Sequence, residues 1–313
     1  MFIDLFSISN ISDKFLSIDL AYFSSFLMIG MLICYSIYSG IVYKFYPNSY
    51  RGIRLSTKNI TYIALLSATS VTFTVIISII LPITVFPPVR IAFEGVMVKI
   101  TGYLFGPIVG ALSGLITEML TILFIPSFIH ISYLIVIISY GFLAGLFSAF
   151  NNAVGKQKWI FYFFVNVVMM LTAILACVLI YNNNSTLFGI DFPTILFTSF
   201  FAISFGLSIL FMSLAAFMEH SSKNKKSKLI GLFPIAAFAC VSEFWITAFI
   251  SSWGDLAFLT ALNSGSQDSD GYKLTLLARM LEAPLKILFN TAVLFITYKT
   301  IFPLVDKKNV IPL

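Results

Sequence analysis

Charge is what this chain has least of. Asp, Glu, Lys and Arg make up 10% of its 313 residues, while hydrophobic residues make up 59%. A soluble domain carries about 25% charged residues, so the composition excludes a water-soluble globular protein and puts most of the mass in a bilayer. Cysteine occurs three times and histidine twice. Cys34, Cys177 and Cys240 all fall inside apolar runs, which excludes a disulfide framework or a zinc spacing and leaves them as small buried hydrophobes. No GxxxxGK[ST] loop, HExxH, CxxC or Ser-His-Asp pattern occurs. The chain therefore has no phosphate loop for hydrolysing ATP, and nothing in it implies an enzyme, a metal or a cofactor. The first 19 residues hold Asp4, Asp13 and Asp19 and no basic start, so a cleaved signal peptide is not expected.

Nine apolar segments are present, at about 20–43, 60–82, 91–105, 107–125, 128–150, 159–181, 195–218, 229–250 and 275–301. Runs of about 20 apolar residues are helices and not barrel strands, which predicts an all-α, polytopic helical bundle. The third and fourth are short and meet at Gly106-Pro107, where proline's missing amide makes a turn natural. With the amino terminus outside and the carboxyl terminus in the cytoplasm, segments 44–59, 151–158, 219–228 and 302–313 are cytoplasmic and carry most of the Lys and Arg. Near the opposite surface stand only Lys14, Arg90 and Lys273, among seven aspartates. This asymmetry follows the positive-inside rule, supports an odd number of spans in a cell (plasma) membrane, and accounts for the net charge of +6 without nucleic acid. The run 221–228 reads as a topology-setting loop, with a lipid-binding patch as the other reading. The outer connection 251–273 reads either as a lid or as a solvated connector.

The stretch Arg90–Pro126 is apolar yet carries Arg90, Glu94, Lys99 and Glu118, and charge within a bilayer costs a few kcal/mol or more per residue. Gly102, Gly106, Gly110 and Gly114 recur at steps of four, which lets helix backbones approach closely. Ala64 and Ala68 form a small-residue face on the preceding helix. Arg90 follows a stiff Pro87-Pro88 connector; it can snorkel to headgroups, meet an anionic solute, or pair with Glu94 one turn on. Lys99 and Glu118 are expected to pair with each other or with other buried polar groups. His130 has an interfacial or a ligand-contacting reading, and His220 is read as solvated beside the basic loop. A second charged cluster, Arg279, Glu282 and Lys286, surrounds Pro284, which frees a carbonyl in its helix. With Glu243 and Trp245 on the preceding helix, Arg279 and Glu282 either pair between helices or face a planar heterocycle bearing a carboxylate.

These residues resemble a known family. Ala64 and Ala68, the proline-containing outer loop, Arg90-Ile-Ala-Phe, Gly102-Tyr-Leu-Phe-Gly-Pro107, Gly110, Gly114, the acidic Glu118 and Pro126 are similar to the substrate-binding S component of an energy-coupling factor (ECF) vitamin transporter, with the folate-family S components nearest. The resemblance covers about 60–150 and returns more weakly at 275–301. It implies a six-helix membrane domain that binds a vitamin, folate or a related pterin first, on its outer face. It also implies partners: a transmembrane coupling subunit, on which Ala64 and Ala68 would dock, and two ATPase subunits that supply the energy. Arg90, His130, Glu243, Trp245, Arg279 and Glu282 are the candidate vitamin contacts. About three spans exceed the family's six. Residues 1–55 then form an extension with one extra helix, and 56–313 the S-component-like domain, with 159–218 a candidate inserted helix pair. Glu118 stands where aspartate is commoner, and SFIHISYL replaces a glycine-rich signature after Pro126.

Two other classes compete. A proton-coupled secondary transporter would use Glu94, Glu118 and Lys99 as a relay, and an inverted repeat would favour it, but none is visible. A membrane-embedded lipid enzyme needs clustered catalytic side chains, and the two histidines are far apart in sequence.

Overall fold

The computed structural model describes residues 17–45, 57–80, 87–125, 128–151, 156–181, 186–187, 190–191, 194–222, 231–263 and 269–306. Each of the nine apolar segments becomes one helix among these residues. They are α1 (Ile18–Phe45), α2 (Thr57–Ile80), α3 (Pro87–Phe105), α4 (Pro107–Phe124), α5 (Ile131–Asn151), α6 (Lys156–Tyr181), α7 (Thr194–Ser222), α8 and α9 (Ser269–Asp306). α8 is a composite: regular over Leu232–Val241, π-helical over Ser242–Ser251, and regular again over Ser252–Asn263. Two-residue strands Thr186–Leu187 (β1) and Ile190–Asp191 (β2) pair as a small antiparallel hairpin between α6 and α7. Among the described residues, six helices carry windows long and apolar enough to cross a membrane: Ile18–Phe45, Pro107–Phe124, Ile131–Ala149, Ile195–Ser221, Leu232–Ala261 and Gly271–Ile301. The protein is an all-α, multi-pass membrane protein.

The expected outer connection 251–273 is mostly helix. Residues 252–263 continue α8 and 269–273 begin α9. The cause is legible in the side chains: Trp253, Leu256, Phe258 and Leu259 extend the apolar pattern of α8 past the serines that suggested its end.

The chain packs as two compact units, one made of Ser25–Asn152 with Ala292–Leu313, the other of Met1–Ser24 with Ala153–Thr291. In the first, α3 and α4 form a hairpin with a single-residue turn. The Gly106 amide closes α3 on the Gly102 carbonyl at 2.8 Å, and the Gly106 carbonyl opens α4 by accepting the Gly110 amide at 2.9 Å. Gly106 has φ 95° and ψ 176°, an extended conformation at positive φ that glycine alone adopts readily, and Pro107 occupies the first helical position, where its missing amide costs nothing. Of the four glycines spaced by four, Gly106 is the one that does not pack: a Cβ there would meet nothing within 4 Å. The other three do. A Cβ on Gly102 would lie 2.1 Å from the Gly141 carbonyl oxygen, one on Gly110 2.2 Å from the same atom, and one on Gly114 2.7 Å from the Ile137 oxygen. Backbones of α3, α4 and α5 thus touch directly. α1 joins this unit through Tyr35, whose ring meets Phe142 edge-on at 5.8 Å.

The second unit is joined by side-chain hydrogen bonds. Pro284 leaves the Met280 carbonyl without its usual i+4 amide, and Ser204 of α7 supplies the missing donor at 2.6 Å. Glu219, near the end of α7, accepts the Phe233 amide in the first turn of α8 at 3.0 Å, which satisfies one of the amides that a helix start leaves open. Phe205 and Phe244 stack at 4.1 Å between the same two helices.

Candidate functional site

Three regions carry polar groups that an apolar fold does not need. The first is the connection between α4 and α5. His130 is half-buried there, its ring stacked beside Phe128 at 6.1 Å and edge-on to Tyr133 at 6.3 Å. Its Nδ1 accepts the Ser132 amide at 3.3 Å and lies 2.8 Å from the Ser132 hydroxyl. An amide can only donate, so Nδ1 is the unprotonated nitrogen and the neutral ring carries its hydrogen on Nε2. Burial lowers the His130 pKa from its usual value, which favours that neutral form. Arg90 and Glu94 lie in the first turns of α3, but their side chains fall outside the described residues. Deeper in the same helix Lys99 is buried, with its ammonium 4.1 Å from the Tyr140 ring centre, a cation–π contact. Glu118 is buried on α4.

The second region lies between α2 and α4. Ala64 and Ala68 are exposed on α2, whereas Ser67, Ser70 and Thr74 face inward. Ser67 and Ser113 share a hydrogen bond of 3.1 Å across the two helices. Among the described residues, the buried hydroxyls of Ser70, Thr117 and Thr121 have no hydrogen-bond partner. Leaving a buried hydroxyl unpaired costs about 1–3 kcal/mol each.

The third region is the α8–α9 pair, and it does not form the single cluster expected. Arg279 is held by Asp255 in a two-pronged ion pair, with Nε–Oδ2 at 2.8 Å and Nη2–Oδ1 at 3.0 Å, and it also donates to the Ser251 hydroxyl at 3.0 Å. Glu243 accepts from the Asn290 side-chain amide at 2.8 Å. Asn290 lies three turns beyond Arg279, about 16 Å along the helix, so Glu243 and Arg279 occupy separate sites. Trp245 is two positions from Glu243, on the opposite side of the turn, and its buried Nε1 has no hydrogen-bond partner among the described residues. Glu282 is exposed and pairs with Lys286, with the Arg279 Nη1 at 4.0 Å. The residues that organise this pair, Ser251, Asp255 and Asn290, escaped the sequence reading. The signal for Ser251 and Asp255 was a polar residue at every fourth position, 243, 247, 251 and 255, on one helix; ending that helix at 250 hid half of it. The π-helical stretch, in which Thr247 donates to the Ser242 carbonyl five residues back at 3.2 Å, widens the turn beneath this stripe.

His220 is exposed. No group of three His, Cys, Asp or Glu side chains able to hold a metal occurs among the described residues.

Comparison with known proteins supplies the remaining information. Residues 54–212 match the protein family described as "ECF-type riboflavin transporter, S component". That stretch runs from just before α2 into α7. It includes Ala64, Ala68, Arg90, the four spaced glycines and His130, and it includes most of the 159–218 pair. It excludes Glu243, Trp245, Arg279 and Glu282. A stretch of 120 residues, 36% of this chain, is 29% identical to part of the "Uncharacterized protein MG098 homolog" of Mycoplasma pneumoniae, of which the match spans 25%. No solved structure matches the chain.

Proposed function

Because the chain belongs to the family of ECF-type riboflavin transporter S components, we propose that it captures a planar vitamin at the outer membrane face and hands it inward while coupled to partner subunits. Riboflavin is the solute favoured by the family. Folate or a related pterin, favoured by the resemblance read from the sequence, is the competitor. The observation that carries the reading is the extent of the match, 159 residues from 54 to 212, which takes in α2 to α6 and most of α7. We take these six helices as the S-component core, and α1, α8 and α9 as additions to it.

Within that core Arg90 and His130 are the proposed vitamin contacts, one cationic and one a neutral ring able to donate from Nε2. Glu243 and Arg279 are assigned instead to the cohesion of α8 with α9, since Asn290 takes up Glu243 and Asp255 and Ser251 take up Arg279; Glu282 pairs with Lys286 within α9, and Trp245 has no role in this reading. Ala64 and Ala68, exposed on α2, suit close approach of a helix from a transmembrane coupling subunit. Two ATPase subunits would supply the energy, consistent with a sequence that lacks a phosphate loop.

Titration of the purified protein with riboflavin and with folate, followed by flavin and tryptophan fluorescence, tests the reading. Saturable riboflavin binding is expected, together with recovery of ATPase subunits when the chain is purified with its partners. Binding of neither vitamin, or uptake into liposomes by the chain alone under a proton gradient, would overturn it.

A further inference from the structure

Many threonines among the described residues satisfy their hydroxyls on their own helix, although the buried Thr291 of α9 finds no partner there. Thr72 donates to the Ala68 carbonyl at 2.8 Å, Thr74 to Ser70 at 2.9 Å, Thr101 to Met97 at 2.9 Å and Thr297 to Val293 at 2.7 Å. Thr117 and Thr121 do neither this nor anything else among the described residues, although both are 0% exposed. Ser70, at 1% exposure, behaves the same way. The three are not scattered. Residues 113, 117 and 121 follow one face of α4 at steps of four, and residues 67, 70 and 74 follow one face of α2 at helical spacing. The Ser67–Ser113 hydrogen bond shows that these two faces meet. Thr121 stands in the last turn of α4, at the end from which the chain leads to His130. The result is a line of buried hydroxyls joined across the two helices by one hydrogen bond, in which Thr74 is satisfied on its own helix and Ser70, Thr117 and Thr121 have no partner among the described residues.

We propose that this hydroxyl seam between α2 and α4 is a binding site for a polyhydroxylated chain, the alditol tail of a flavin, with Ser70, Thr117 and Thr121 as its specificity-determining residues. The proposal rests on the riboflavin reading above. A polyol alternates donors and acceptors along its length, as a row of serine and threonine hydroxyls does, so each unsatisfied group gains a partner that an apolar or purely aromatic solute cannot give. The flat ring would then lie nearer His130 and Phe128.

The test compares riboflavin with lumichrome, a related ring system without the polyol chain, on the full-length detergent-solubilised protein. Wild type is expected to bind riboflavin at least about tenfold tighter than lumichrome, since one or two hydrogen bonds suffice for that ratio. The triple variant Ser70→Ala, Thr117→Val, Thr121→Val keeps side-chain shape and should lose at least about tenfold in riboflavin affinity while holding lumichrome affinity within about twofold. Lumichrome binding thus reports a folded ring site, and Thr121→Ser alone should retain riboflavin affinity. Unchanged riboflavin binding in the triple variant overturns the proposal, and so does an equal loss for both ligands. If wild type binds neither ring, the vitamin reading itself has failed and the seam proposal falls with it; if it binds both rings equally, only the seam proposal falls.

Discussion

The α3–α4–α5 trio and the α8–α9 pair bring helices together inside a membrane by opposite means. In the trio, glycine removes side chains so that backbone meets backbone: the Gly141 carbonyl lies where a Cβ on either Gly102 or Gly110 would have to go. In the pair, polar side chains reach across, with Arg279 to Asp255, Asn290 to Glu243, and Tyr272 to the Phe249 carbonyl at 3.0 Å. Lipid offers no hydrophobic drive for helices to associate, so close packing and hydrogen bonds are the two terms available. The trio depends on shape and tolerates no added atom. The pair depends on electrostatics and tolerates paired changes.

The largest effect is expected at Gly141. Gly141→Val would place a branched side chain within 2.1 Å of the Gly110 carbonyl, a contact that no rotamer relieves. Loss of the folded protein is expected, read as the absence of a monodisperse peak in detergent. Gly106→Ala is the control that isolates shape from conformation. It meets open space and has only its positive-φ, extended backbone to resist it, a cost of about 1–3 kcal/mol, so it should fold with a lowered melting temperature. Equal behaviour of the two variants would break the distinction. Next comes the ion pair. Asp255→Asn removes the two-pronged counter-charge of the buried Arg279 and should destabilise by about 3–5 kcal/mol, whereas the double change Asp255→Leu with Arg279→Met should recover most of that. A double variant as unstable as the single one would mean that the pair is more than helix glue.

Much of this contrast was visible in the sequence, for physical reasons that differ between the regions. Apolar runs mark all nine helices, six of them long enough to cross a bilayer among the described residues, and Gly106-Pro107 marks its own turn. Gly102, Gly110 and Gly114 were legible because a step of four is a local property. Gly141 and Gly145, against which α3 and α4 pack, were not, since which helix a glycine meets is decided by tertiary arrangement. The same limit explains the α8–α9 pair. Arg279 and Glu243 each looked like ligand contacts, and only the structure supplies Asp255 and Asn290 as partners. Pro284 was read as freeing a carbonyl, but nothing local could say that Ser204, on α7, would donate to it.

Smaller effects sharpen the comparison on its polar side. Ser204→Ala removes the donor to the Met280 carbonyl and should cost about 1 kcal/mol, the net worth of one hydrogen bond. If the pair-forming unit is held by such bonds, the loss should add to that of Asp255→Asn only partly, because both act on α9. The smallest expected effect is at His130, and it depends on pH. Burial holds its pKa below the 6.5 of a free imidazole, so the folded state binds fewer protons than the unfolded one in the window beneath 6.5. The associated stability is therefore fully present above that value and is lost as pH falls through the lowered pKa. A proton arriving at Nδ1 would also displace the Ser132 amide and turn its hydroxyl from donor to acceptor, loosening the α4–α5 connection. The melting temperature of wild type should fall more steeply below pH 6.5 than that of His130→Gln, which cannot titrate; parallel profiles would show that the ring's protonation state has no structural consequence.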